Sequence, residues 1–379
     1  MKRILIFSLA YLPHVGGAEV ALKEITDRIS DIEFHILTLN FGADAKEEKI
    51  GNVFVHRVGN SASYLSKILF VPRAVLLARS LYQTQHFDAS WAMMSYMLFP
   101  IVLLRALGTH VPYLLTLQEG DPFEYTFNRW FILPFRPLLS IGFKNASAVQ
   151  TISTYLAEWA NNMGFKKEVV VIPNGVDLKR FTEASKPPIV TAGVVNLITA
   201  SRLVYKNALD EVIRALVLLP ENVQFVVYGS GPDERELRAL AEDLKVGSRV
   251  LFKGYSSHSD LARAFATAHI FVRPSRSEGM GNSFIEAMAA GLPVIGTQEG
   301  GIADFLFDTR RNPSKGATGW AVDKDSPQQI AMAVKEILTN PEKVVQVREN
   351  ARALVREKYD WDLIARDMKK LFDRVLGSQ

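Results

Sequence analysis

The sequence has 379 residues, 48% hydrophobic and 22% charged, the balance of an ordinary globular protein and enough chain for two domains. That composition excludes a wholly disordered chain, a collagen-like repeat and a coiled-coil rod. Lysine and arginine number 44 against 40 aspartate and glutamate, a net charge of +4 that is too thin over this length to point to nucleic acid, and the absence of cysteine excludes disulfides, thiolate metal sites and cysteine nucleophiles.

The N-terminal stretch sets two basic residues before an apolar run, as a signal peptide does. That run, 4–12, is short, and no small-residue cleavage site precedes Pro13 and Gly16-Gly17, so a buried first strand over 3–9 is the expected reading. Further strands are expected at 33–39, 53–57, 89–92, 113–117 and 148–151, with helical patterns at 17–29 and 66–83. The most apolar stretch, 89–104, carries Pro100 and ends at Arg105, too short and too interrupted to span a bilayer. A soluble, cytoplasmic protein, or one peripheral at the inner face of a membrane, is expected.

The second half repeats the alternation, with strands at 195–200, 224–228, 250–253, 270–273 and 293–297. Helices are expected between them at 208–219, 233–243, 259–267 and 282–290. Continuous rather than alternating apolar strands, separated by helices, indicate parallel sheets covered on both faces. The pattern breaks over 182–193, around Pro187-Pro188, which reads as a linker. Two doubly wound α/β domains, 1–185 and 190–358, follow, with a last amphipathic helix over 359–376.

In open parallel sheets ligands bind beyond the carboxyl ends of the strands, so the residues just after each strand matter most. After the first strand, His14 precedes Gly16-Gly17-Ala18-Glu19, where a glycine pair at a helix start lets an anion approach backbone N–H groups. After the strand at 195–200 come Arg202, Lys206 and Asn207, an arginine fork and a lysine point charge suited to a diphosphate. Gly229-Ser230-Gly231-Pro232 follows the next strand. The run Pro274 to Glu286 is loop and then helix, with Asn282 or Ser283 as the expected cap. It puts Glu278 before the helix, free N–H groups at its start and Glu286 about one turn inside. Phosphate suits the N–H groups, and each carboxylate can accept from sugar hydroxyls.

These residues resemble a known family. Ile172-Pro173-Asn174-Gly175-Val176-Asp177, the Arg202…Lys206-Asn207 turn, Gly229-Ser230-Gly231-Pro232 and the pair Glu278 and Glu286, with the segment through Pro293-Val294, are similar to the nucleotide-sugar domain of family-4 retaining glycosyltransferases. The first half is similar more loosely, through Tyr11-Leu12-Pro13 and Gly16 to Glu19. The resemblance covers nearly the whole chain and implies the GT-B fold, two Rossmann-like domains facing each other across a cleft. It implies that Arg202 and Lys206 bind the donor diphosphate, that Glu286 holds the ribose and that Glu278 faces the donor sugar, with Glu278, Arg202 and Lys206 as the catalytic set. Gly279, Met280, Gly281, Asn282 and Ser283 would line the sugar and phosphate pocket, with Asn207, Gly229 and Gly231 beside it and Gly16 and Gly17 closing over the phosphates. It further implies retention of anomeric configuration, a nucleoside diphosphate sugar as donor, a glycan or lipid-linked acceptor, and no cofactor or metal. The final helix would pack back on the first domain through Trp361, Leu363 and Leu371. A GT-B sugar-nucleotide epimerase and a non-catalytic nucleotide-sugar-binding protein are the alternatives; a dinucleotide oxidoreductase lacks its G-x-G-x-x-G.

The sequence departs from that family in places. Where the family often has a histidine, this chain has Gln118-Glu119-Gly120-Asp121, so Glu119, Asp121 or His14 would meet the acceptor; Asp304 stands where a glutamate is common. Asp323-Lys324-Asp325 mimics a metal-binding D-x-D, but it precedes Ser326-Pro327 at a helix start, where capping accounts for it. The histidines at 14, 35, 56, 86, 110, 258 and 269 have no ligand-like spacing. Residues 125–144 mix Trp130, Phe131, Phe135 and Phe143 with Arg129, Arg136 and Lys144 and no acid, as would either a buried helix with charged ends or a helix lying on an anionic membrane.

Overall fold

The computed structural model describes residues 1–14, 16–42, 44–183 and 193–377. The chain forms two compact units, Met1–Asn174 with Trp361–Gln379, and Gly175–Asp360.

In the first unit the strands are β1 (Lys2–Phe7), β2 (Ile32–Leu39), β3 (Glu47–Ile50), β4 (Val53–Val58), β5 (Ala89–Met93), β6 (Tyr113–Leu117), β7 (Ala148–Thr151) and β8 (Val170–Val171). They make one sheet of order β3-β4-β2-β1-β5-β6-β7-β8, parallel except for the β3–β4 hairpin. Helices α1 (Gly17–Asp27), α2 (Tyr64–Thr84), α3 (Leu98–Ala106), α4 (Phe123–Phe127), α5 (Arg136–Lys144) and α6 (Thr154–Asn162) lie in the connections. Ile4, Leu5, Ile6 and Phe7 are buried in succession because helices cover both faces of the sheet, which is why the strand reads as a continuous apolar run.

The C-terminal helix, Trp361–Gly377, completes this unit rather than the one that precedes it in sequence. Trp361, Ile364, Met368, Leu371, Phe372 and Val375 recur at helical spacing and enter one core with Ile4, Ile6, Phe34 and Trp91. The Phe372 ring lies 5.0 Å from that of Trp91 and 5.8 Å from that of Phe34. Trp361 and Leu371 are thus in the core, but Leu363 is not: it falls off the stripe, is half-buried, and Ile364 takes its place.

The second unit begins with α7 (Leu178–Glu183). It continues through β9 (Val195–Ala200), α8 (Leu209–Leu216), β10 (Val223–Tyr228), α9 (Glu234–Asp243), β11 (Val250–Gly254), α10 (His258–Thr267), β12 (Ile270–Arg273) and α11 (Asn282–Ala290). It ends with β13 (Val294–Gly296), β14 (Trp320–Ala321), α12 (Pro327–Thr339) and α13 (Pro341–Lys358). All six strands are parallel, in the order β11-β10-β9-β12-β13-β14. The order reverses direction at β9, whose successor β10 lies on one side while β12 lies on the other, so the carboxyl ends of β9 and β12 flank a topological switch point.

The units divide at Asn174/Gly175, ahead of the expected linker, of which 184–192 lies outside the described residues. α7 already belongs to the second unit because Phe181 is buried there, its ring 6.0 Å from Phe265.

Candidate active site

Three loops of the second unit leave the carboxyl ends of neighbouring strands β10, β9 and β12. They bring together Arg202, Lys206, Asn207, Gly229, Gly231 and the run Glu278 to Glu286. The first two are laced by backbone hydrogen bonds, Leu203 N to Ser230 O at 3.0 Å and Asp233 N to Leu203 O at 3.1 Å. That lacing explains the glycines. Gly229 has φ +126°, and a Cβ there would collide with the Ser201 carbonyl oxygen; one at Gly231 would collide with that of Leu203. Their smallness admits another stretch of this chain.

Asn207 is buried, and its Nδ2 donates to Arg202 O at 2.6 Å, closing the turn from inside. Arg202 is exposed, and its guanidinium has no partner among the described residues; Lys206 is half-buried. The turn is braced by Arg276. Its guanidinium donates to Asp210 at 2.9 and 2.8 Å, to Asp325 at 2.6 Å and to Tyr205 O at 2.7 Å, and its backbone N–H donates to Lys206 O at 2.7 Å. Although burial works against its charge, the hydrogen bonds to Asp210 and Asp325 hold Arg276 above the ordinary arginine value.

The loop after β12 ends at Gly281, with φ +89°, which caps α11 in place of the expected side-chain cap. Ser283 instead accepts from Arg273 Nη1 at 3.0 Å. Glu278 is held at both oxygens: Oε2 accepts from Arg273 Nη2 at 2.8 Å and Oε1 from Gly279 N at 3.1 Å. Glu286 is buried in the first turns of α11, its carboxyl pushed up by burial against the pull of His258, Arg273 and Arg180. His258 Nε2 stands 3.5 Å from Glu286 Oε1. Around this ledge Thr199 Oγ1, Ser201 Oγ, Arg273 Nε and Ser275 Oγ are buried without a hydrogen-bond partner among the described residues. Orphaned buried polar atoms are costly and rare, and four of them at the ends of β9 and β12 mark a place built for a polar ligand.

The remaining predicted residues belong to the first unit. His14 Nε2 is 3.2 Å from Asp44 Oδ2 and its ring 4.5 Å from Phe41, so it is tied into the loop after β2. Gly16 precedes α1 and Gly17 begins it. Glu119 is buried, its oxygens taken by Ser95 N at 2.6 Å and Gln118 N at 3.0 Å, with burial pushing its carboxyl up; Asp121 is half-buried nearby. Gln118 pairs amide to amide with Asn174. Asp323 bonds Gln329 and Arg311, and Asp325 bonds Arg276. Among the described residues no group of histidine and acidic side chains is disposed to hold a metal, and no helix is long and apolar enough to cross a membrane.

Residues 125–144 are not one helix. They comprise the end of α4, a short 3-10 turn at Leu133–Phe135, and α5. Pro134 and Pro137 and the wish of Phe127 and Phe143 for the core break the segment, while Tyr125, Trp130, Leu133 and Phe135 stay exposed, Trp130 at 83%. Arg129 lies 3.4 Å from the Tyr125 ring centre.

Sequence reasoning overlooked Arg273, Arg276 and His258. The available signal was Arg273 itself, a charge ending the otherwise apolar buried strand Ile270-Phe271-Val272.

Comparison with known proteins finds a family match for each half of the chain. The family pattern described as Glycosyltransferase Family 4 matches residues 15–180, and that described as Glycosyl transferases group 1 matches 185–354, across the three loops. The chain is a glycosyltransferase of the group 1 and family-4 type. This glycosyltransferase is 27% identical over 406 aligned residues to a GDP-mannose-dependent alpha-(1-6)-phosphatidylinositol monomannoside mannosyltransferase of Mycobacterium tuberculosis, covering 100% of this chain and 99% of that one. It is 23% identical to an uncharacterized glycosyltransferase of Methanocaldococcus jannaschii, with 96% of each chain covered. Among solved structures it superposes on sucrose-phosphate synthase of Thermosynechococcus elongatus with TM-score 0.84 at 19% identity, covering both chains fully. Anabaena HepE in complex with UDP and glucose gives TM-score 0.78 at 19% identity, covering 98% of this chain and 100% of that one. The fold of this glycosyltransferase is GT-B, with two Rossmann-like parallel-sheet domains.

Proposed function

We propose that this glycosyltransferase moves a sugar, with retention of anomeric configuration and without a metal ion, from a nucleoside diphosphate sugar to a hydroxyl of a glycan or lipid-linked acceptor. The observation that carries this is the ledge at β9 and β12. There an unpartnered exposed arginine, the N-terminus of α11, two seated carboxylates and four orphaned polar atoms converge. Arg202, Lys206 and the N-terminal end of α11 neutralise the departing diphosphate, so the charge that develops as the sugar–phosphate bond breaks meets fixed positive ends. Glu286 accepts from the ribose hydroxyls and Glu278 from a hydroxyl of the donor sugar. The bond from the anomeric carbon to the phosphate oxygen breaks, the acceptor oxygen bonds that carbon on the same face, and its proton passes to the leaving phosphate. Gly16 and Gly17 close over the donor phosphates, while His14, Glu119 and Asp121 belong to the acceptor side of the reading; Glu119, with both oxygens taken, acts there by shaping the loop.

The protein works in the cytoplasm, and Tyr125, Trp130, Leu133 and Phe135 with Arg129 and Arg136 dock it on an anionic bilayer. The lipid named for the mycobacterial relative supports a lipid-linked acceptor.

The test is thermal unfolding with UDP, GDP, ADP and NAD, followed by turnover of the matching sugar nucleotide with chelator present and NMR of the anomeric proton of the product. Stabilisation by one nucleoside diphosphate, at about 100 times its dissociation constant, adds roughly 2.7 kcal/mol. Conversion of the donor without any acceptor would instead indicate an epimerase, and stabilisation by NAD alone would overturn the reading. Failure to sediment with phosphatidylglycerol vesicles at low salt would remove the membrane contact.

A further inference from the structure

We propose that Arg273 is the positioning residue for Glu278, and that through it the site reads the donor sugar separately from the nucleotide. This rests on the reading of Glu278 as the sugar-facing carboxylate. Arg273 ends β12 with its side chain only 6% exposed. One terminal nitrogen donates to Glu278 Oε2 at 2.8 Å, the other to Ser283 Oγ at 3.0 Å, and the guanidinium lies 4.6 Å from the Phe284 ring centre. A planar fork that bonds two groups in different directions fixes both, which a lysine point charge cannot do.

Glu278 is thereby immobilised. Arg273 pins Oε2, Gly279 N pins Oε1, and Gly301 N bonds the backbone oxygen of Glu278 at 3.0 Å. Each carboxylate oxygen has accepted one hydrogen bond and retains capacity for a second, offered in one fixed direction. Gly281 follows from the same arrangement. A Cβ there would stand 2.6 Å from Arg273 Nη2, so the loop folds over the guanidinium only with glycine at that position.

Stability does not account for the arginine. Burial lowers the preference of Arg273 for its charged form, Nε has no partner, and a buried ion pair of this kind is often matched or bettered by apolar side chains of the same volume. A charge retained at the end of an apolar strand, against its desolvation, and aimed at one carboxylate of the site serves that carboxylate. The cations of the diphosphate side lie elsewhere: Arg202 and Lys206 are on the loop after β9 and are braced by Arg276, which among the described residues makes no hydrogen bond to Arg273. Arg273 therefore bonds the sugar end of the donor site, and reaches the nucleotide end only through its charge on Glu286, without a hydrogen bond.

The experiment compares wild type with Arg273→Met, Arg273→Lys and Ser283→Ala. The last removes only the second anchor of the fork and leaves no charge unpaired on a carboxylate. Calorimetry gives the affinity for UDP or GDP, whichever stabilises the protein. Steady-state kinetics compare donors that share the nucleotide and differ at one hydroxyl, UDP-glucose against UDP-galactose or GDP-mannose against GDP-glucose. Arg273→Lys, which keeps the charge that Glu286 feels, leaves nucleoside diphosphate affinity within about twofold of wild type. Arg273→Met lowers kcat with the preferred donor by about 100-fold, the scale of a small misplacement of a positioned group. It also narrows the preference between the two donors by about tenfold, or 1.4 kcal/mol, with Arg273→Lys intermediate and Ser283→Ala in the same direction but smaller. Parallel loss of nucleoside diphosphate affinity and turnover in Arg273→Lys, or an unchanged donor ratio in Arg273→Lys and Ser283→Ala, would show that Arg273 is only structural. A wild type that binds neither nucleotide nor sugar nucleotide overturns the underlying site reading, a result separate from the behaviour of the variants.

Discussion

Arg276→Met should loosen the turn that carries Lys206 while leaving Glu278 in place. Methionine keeps the packing of the stem and removes every donor that Arg276 offers to Asp210, Asp325 and Tyr205 O. Stripping one partner from a buried ion pair costs about 3–5 kcal/mol. Asp325 is 55% exposed and Asp210 27%, so water replaces much of what they lose. Glu211 has no such recourse: it is 9% exposed, and burial and then the neighbouring Asp210 already hold its carboxyl above the ordinary value. A net cost of about 2–3 kcal/mol follows, or about 4–12 °C in the melting of a unit this size. The sign with pH is fixed by Glu211. A carboxyl whose folded value is raised holds its proton more tightly in the fold, so its stability is complete below the unfolded value and is lost as pH climbs through the folded one. Removing the nearby cation raises that value further, so the deficit of Arg276→Met should be larger at about pH 8 than at about pH 5. Calorimetric melting at both pH values checks stability, and titration with the nucleoside diphosphate checks the turn, with weaker binding expected. A variant that melts within about 1 °C of wild type and binds the nucleotide equally well would refute the bracing.

Burial raises the Glu286 carboxyl, so nucleotide affinity should fall as pH drops through that raised value, and Glu286→Gln should flatten this dependence and bind about tenfold less tightly at about pH 8; calorimetry across pH measures both. Gly229→Ala combines φ +126° with a collision at Ser201 O and should cost about 1–3 kcal/mol in strain alone, seen as a lower urea midpoint of the second unit. Phe372→Ala empties a place between Phe34 and Trp91 and should cost about 3–5 kcal/mol by urea unfolding of the first unit; a loss below about 1 kcal/mol would separate the last helix from that core.

The strands most plainly written in the sequence are those buried on both faces, such as Ile4 to Phe7 and Ile270 to Val272, because burial demands apolar residues one after another. Apart from β11, expected at 250–253, the edges were not legible. β3, Glu-Glu-Lys-Ile, is a charged strand that discourages further pairing and carries no apolar signal, while β8 and β14 have two residues each. Proline suggested a boundary near 188, but the change of unit at Asn174 depends on where Phe181 is buried, a tertiary fact. In the site, the glycines, Arg202, Lys206, Glu278 and Glu286 could be named because turn chemistry and charge are local. The partners that hold them could not: Arg276 reaches back 66 residues to Asp210, and His258 meets Glu286 from a different helix.

The placement of the last helix also has a consequence on the ribosome. The first unit has its sheet once Asn174 has been made, but Trp361, Met368 and Phe372 come only after the whole of Gly175–Asp360. At roughly 5–20 residues per second that interval is about 10–40 s. Throughout it, Phe34 and Trp91 on the nascent sheet lack the rings that later cover them, so the second unit can finish folding before the one that began first.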